Sequence, residues 1–187
     1  AAWIAAGGND VVERWQLPLS APDLERQRDR LIAEWNSLHE QRLPQVMLGG
    51  LVALIRTYRP EVIVYDVAQP EQAVASLLQE ALPLAIAQAA DPTRYPEHRS
   101  LCGLSPWTVP KVFLRTPDVA GATLSVDPHQ VLPRVGTTLY LAAGRSALLA
   151  FAPQELRIER EHFSFVPRQV NAASAVDQAS RSFFGGL

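Results

Sequence analysis

Apolar positions recur at helical spacing through the first third of the chain. Leu24, Leu31, Trp35 and Leu38 lie three to seven residues apart behind Ser20, Pro22 and Asp23. A serine suits a helix N-cap, a proline the first turn, and an acid the positive helix end, so this stretch predicts a helix. Pro44 interrupts it, and Met47, Leu48, Leu51, Val52 and Ile55 then mark the face of a second helix. Gly49 and Gly50 lie inside that helix. Each Gly disfavours a helix by about 1 kcal/mol against Ala, which predicts close packing or a break there.

The pattern changes after Arg59-Pro60. Residues 61–67, EVIVYDV, form a β-branched run with little alternation. Such a run predicts a strand buried on both faces, as in parallel sheets. Pro70 suits the first turn of a further helix whose apolar face uses Val74, Leu77, Leu78, Ala81 and Leu82, then Ala85 and Ala89 beyond a kink at Pro83. Upstream, AAWIAAGGND reads as a helix end closed by Gly7 and Gly8, and VVERWQLPL as a strand. The order is helix, strand, two helices, strand, helix, the grammar of a doubly wound α/β sheet.

Residues 91–110 hold a proline-rich stretch expected to be an irregular surface loop. KVFLR and ATLSVD are strand candidates, and TTLYLAAGRSALLAF is a helix candidate with Thr137 as N-cap. ELRIEREHFSFVP alternates as an edge strand or hairpin would, and the aromatic tail is expected to dock on the domain. The predicted fold class is therefore α/β: one domain over 1–187, with an irregular or antiparallel C-terminal extension over 116–187.

Composition narrows the function classes. The chain has 187 residues, 48% of them hydrophobic, enough for one domain with a real core. Its 17 basic and 19 acidic residues leave a formal charge of -2, which provides no field for nucleic acid. No uninterrupted apolar run reaches the roughly 18 residues of a membrane span. The single cysteine, Cys102, excludes an intrachain disulfide and a cysteine-built zinc cluster. It suits a reducing compartment and slightly favours a cytoplasmic location. The start lacks the basic region of a signal peptide, and the chain is expected to begin inside a larger domain.

Few residues carry chemistry. Asp66 ends a strand, where open α/β sheets bind ligands, but it equally suits capping of the next helix. Gln69, Glu71 and Gln72 fall in the following first turn, where Glu71 gains from the helix dipole whatever its role. The four histidines, His39, His98, His129 and His162, show no paired ligand spacing. His98 lies in the proline-rich loop near Cys102, an arrangement a Cys/His nucleophile pair would need and an exposed loop histidine explains as well. Trp107 reads as a loop anchor rather than a sugar-stacking platform.

LVALIRTYRPEVIVYD at 51–66 and AADPTRYPEHRSLCGLSPWTVPKVFLR at 89–115 resemble the PIG-L/LmbE family of zinc-dependent de-N-acetylases. GTTLYLAAGRS at 136–146 and SFFGGL at the end are similar to later segments of longer members. The resemblance implies a Rossmann-like three-layer sandwich with a mostly parallel sheet. It also implies a hydrolase removing N-acetyl groups from amino sugars or glycoconjugates, with zinc as cofactor. Members carry an early Ala-His-Pro-Asp-Asp segment supplying two zinc ligands and a general base, and a later His-x-x-His supplying the third ligand. This sequence has no such Asp-Asp segment, and Gln69-Pro70-Glu71-Gln72 stands where His-x-x-His is expected. Gln72 thus occupies the third-ligand position, and an amide carbonyl is a poor zinc ligand beside imidazole. Arg145 and Ser146 match an Arg-Ser pair of the family, but Ala147, Leu148 and Leu149 follow instead of polar residues. The expectation is a catalytically degenerate member that binds no metal in this chain. Its candidate cleft comprises Asp66, Gln69, Glu71, Gln72, His98 and Arg145, and its ligand would be a small sugar or glycoconjugate. A non-catalytic carbohydrate-binding or structural module is the alternative.

Overall fold

The computed structural model describes residues 27–69, 72–117, 120–133, 136–142, 144 and 160–166. Helix α1 spans Arg28–Leu38, and Leu31 and Trp35 are its buried residues. Helix α2 spans Leu43–Tyr58, with Pro44 in its first turn rather than breaking a longer helix. Strand β1 is Val62–Asp66 and helix α3 is Ala73–Ala90. Helix α4, Pro96–Cys102, precedes strand β2, Lys111–Thr116. Short strands β3, Leu124–Val126, β4, Val131–Leu132, and β5, Thr137–Thr138, follow, and β6 is Glu161–Phe165.

The chain is a mixed α/β fold. Its main sheet has the order β1-β2-β6-β3, with β4 and β5 as a separate antiparallel pair. β1 and β2 run parallel, Ile63 opposite Val112 and Asp66 opposite Arg115. β6 lies antiparallel between β2 and β3, placing Phe163 beside both Arg115 and Leu124. The segment expected at an edge is therefore an interior strand. Local alternation reports a half-buried strand but not its neighbours, which are set here by pairings across 35 residues or more.

One core joins α2, α3 and the sheet through Leu51, Val52, Ile55, Ala81, Ala85, Ile86, Ala89, Val109 and Val112. A second cluster, Leu31, Trp35, Leu43, Ala73 and Leu77, ties α1 to both helices. α3 has the length and apolar composition of a membrane span, contrary to the expectation that no segment reaches it. Its alanine-rich face is buried against α2 and the sheet. α2 runs through Gly49 without the break that was the alternative to close packing, and α3 continues through Pro83. Gly49 serves close packing: a Cβ there would meet the Tyr95 ring at 3.3 Å.

Three further readings of the sequence change. The proline-rich loop contains α4, with Pro96 at its first turn and Gly103 closing it at φ 68°. The Leu104 N–H donates to the His98 carbonyl at 2.9 Å, a Schellman-type ending that a left-handed glycine permits. Val64 is 46% exposed, so β1 is not covered on both faces. Residues 139–142 are helical as expected, but Thr138 rather than Thr137 caps them: its Oγ1 accepts from the Leu141 N–H at 3.2 Å. The segments expected at 1–26, 145–159 and 167–187 lie outside the described residues.

Candidate functional site

The two ends of the sheet are built differently. At the N-terminal end of β1, Arg56 of α2 is 3% exposed and points into the C-terminal turn of α3. Its Nε donates to the Ala89 carbonyl at 3.1 Å and its Nη1 to that of Tyr95 at 3.2 Å. Its Nη2 reaches the carbonyls of Gln88, Asp91 and Arg94. A cation suits the Gln88, Ala89 and Asp91 carbonyls because they close the negative end of the α3 dipole. Arg59 closes α2 in the left-handed region, at φ 48°, and its guanidinium lies 4.5 Å from the centre of the Trp107 ring. The Trp107 Nε1 donates to the Pro60 carbonyl, confirming this tryptophan as a loop anchor.

His98 belongs to this structural end. Its ring stacks on Tyr95 with centroids 4.9 Å apart. Burial, and then the nearby Arg56 charge, pushes its pKa below the ordinary histidine value, with Glu97 opposing. Its buried Nδ1 has no hydrogen-bond partner among the described residues. Asp66 stands at the C-terminal end of β1, whereas this histidine belongs to the layer around the C-terminus of α3, so the grouping of His98 with Asp66 is corrected. Sequence order put both near strand candidates without saying which ends they occupy.

At the C-terminal ends of β1 and β2 lies a cleft of about 440 Å³. Asp66, Val67, Gln69, Arg115, Thr116, Pro117, Arg160, Glu161 and His162 line it. Parallel register brings Arg115 beside Asp66, and the antiparallel β6 brings in Glu161. Arg115 Nε donates to Asp66 Oδ1 at 2.6 Å, and its Nη1 donates to Glu161 Oε1 at 3.0 Å. The hydrogen bond to Asp66, opposed by partial burial, raises the Arg115 pKa. Arg160 pairs with Asp127, whose carboxyl is held below its usual range first by the His129 N–H and then by Arg160.

Of the residues expected from the sequence, Asp66 and Gln69 line this cleft. Gln72 is the N-cap residue of α3, and its Oε1 accepts from the Gln69 N–H at 3.3 Å, closing the local turn. Glu71 and Arg145 lie outside the described residues. His129 donates its backbone N–H to Asp127 Oδ1 and stacks its ring on Tyr140, so Asp127 holds a local turn. The His39 Nε2 is buried and has no partner among the described residues. Cys102 is exposed at the end of α4. Arg115, Arg160, Glu161 and His162 were missed. The only local signal was their place in strand-like segments, and their convergence depends on non-local pairing.

These residues do not fit a catalytic zinc. Asp66, the one carboxylate at the strand end of β1, already faces a guanidinium. Gln69 and Gln72 offer neutral amides, and that of Gln72 is engaged by the Gln69 backbone N–H. Among the described residues, no group of three or more histidine, cysteine or acidic side chains gathers where it could hold a metal ion. Three such ligands and an open position are the usual requirement of a zinc hydrolase. No protein-family model matches the chain, and no curated protein matches it.

Proposed function

We propose that the chain is a Rossmann-like, three-layer domain of PIG-L/LmbE type whose strand-end cleft binds an amino sugar or glycoconjugate without hydrolysing it. The observation that carries this reading is the position and lining of the cleft. It opens beyond the carboxyl ends of two parallel strands, where α/β sheets place ligands. Its Asp, Glu, Arg and Gln side chains are the groups that hydrogen-bond sugar hydroxyls, since carboxylates accept and guanidiniums donate in pairs. A volume of about 440 Å³ accommodates a small sugar. Hydrolysis is left out because an amide needs its carbonyl polarised and a water activated. Gln69 and Gln72 do neither.

The reading is tested by titrating the protein with N-acetylglucosamine and with glucosamine, and assaying acetate release from the former with added zinc. Saturable binding of at least one of the two, weakened several-fold by Asp66→Ala, with no acetate release is the expected result. Stoichiometric acetate release would overturn the non-catalytic part, and binding of neither sugar would overturn the sugar part.

A further inference from the structure

The cleft holds an electrostatic imbalance. Asp66 and Glu161 are both engaged by the same guanidinium, Arg115, each through one oxygen. The second guanidinium of the lining, Arg160, is drawn aside to Asp127. With Asp127 beside the lining, three carboxylates face two guanidiniums among the described residues, and with histidine counted as neutral these five groups carry one unneutralised negative charge. Asp66 Oδ2 and Glu161 Oε2 have no hydrogen-bond partner among the described residues, so two acceptors flank Arg115. Register fixes this geometry: Asp66 and Arg115 are paired across β1 and β2, while Glu161 begins the neighbouring β6. Gln69 adds an uncharged amide to the lining, and among its residues no aromatic ring other than His162 is available for stacking. Recognition must then come from hydrogen bonds and charge rather than from an apolar platform.

We infer that the ligand of this cleft carries a protonated primary amine, held by the free oxygens of Asp66 and Glu161, with Arg115 and Gln69 meeting its hydroxyls. The substrate class is thus a free amino sugar rather than its N-acylated form. An acylated nitrogen is neutral, leaves the carboxylates without a counter-charge, and sets its carbonyl among acceptors. This assignment rests on the sugar-binding reading and sharpens it. The carboxylates are about half exposed, so the preference is modest and sensitive to salt.

The experiment is a nuclear magnetic resonance titration of the full chain with glucosamine, glucose and N-acetylglucosamine, at low salt and at high salt. The expected result is glucosamine affinity about threefold or more above glucose, an advantage that high salt removes. Glu161→Gln is expected to remove the advantage of glucosamine over glucose, with amide dispersion checking that the variant is folded. Equal affinities for the three sugars, or a preference for the acetylated one, would overturn the amine assignment and leave the sugar reading intact. Binding of none of them would overturn the sugar reading itself, and the amine assignment with it.

Discussion

The indole Nε1 of Trp107 donates a 2.9 Å hydrogen bond to the carbonyl of Pro60, 47 residues earlier. The same residue's backbone N–H reaches the Ala89 carbonyl, which also accepts from Arg56. One short path thus joins the end of α2, the end of α3 and the approach to β2. Trp107→Phe keeps the ring and removes the donor, leaving the Pro60 carbonyl without its partner. The expected loss is about 1–3 kcal/mol by chemical denaturation, with sugar binding in the cleft unchanged.

Arg56 makes a stronger prediction. It is buried and serves five carbonyls, so Arg56→Met leaves a helix end and a loop unsatisfied in the interior. A loss of at least about 3 kcal/mol is expected, because several buried acceptors lose their partner together. Arg56→Lys should recover little of it, since one ammonium cannot span the fork of a guanidinium. Equal stability of the lysine variant and the parent by calorimetry would refute the role given to the fork.

His98 gives stability a pH dependence with a defined sign. Its folded pKa lies below the ordinary histidine value, first because of burial and then because of Arg56. The unfolded chain therefore binds the proton more readily, and stability falls as pH drops through the usual histidine range towards the folded value. Above that range His98 contributes no such loss. The midpoint of urea unfolding should decline between about pH 7.5 and pH 5.5, and the decline should be shallower in His98→Gln. An identical slope in both proteins would assign the effect to other groups.

The imidazoles that the PIG-L/LmbE resemblance implies can be introduced. Gln69 lines the cleft and Gln72 closes a turn against it, so Gln69→His with Gln72→His places two imidazoles near Asp66. Asp66 remains committed to Arg115. No tight zinc uptake is expected from the double variant by equilibrium dialysis, and stoichiometric retention would reveal ligands that the described residues do not contain.

What the sequence disclosed followed the range of the interactions. α2 and α3 were readable because Leu51, Val52, Ile55, Leu77, Ala81 and Ala85 repeat within a few residues. β1 was readable as a strand, but the exposure of Val64 was not, because cover on each face depends on other segments. α4 escaped because prolines mark a loop and a helix start alike, and Pro96 does the second. In the cleft, Asp66 and Gln69 were legible from their place after a strand. Arg115, Arg160, Glu161 and His162 were not, since they reach the cleft only through the β1–β2 and β2–β6 pairings.

The most direct measurement is an amide-resolved titration of the protein with glucosamine in the presence of a strong metal chelator. Metal-independent recognition at the strand ends predicts saturable shifts concentrated at Asp66, Gln69, Arg115, Thr116, Glu161 and His162, with the chelator making no difference. Shifts that vanish with the chelator and return with zinc, or no shifts at these residues, would contradict it.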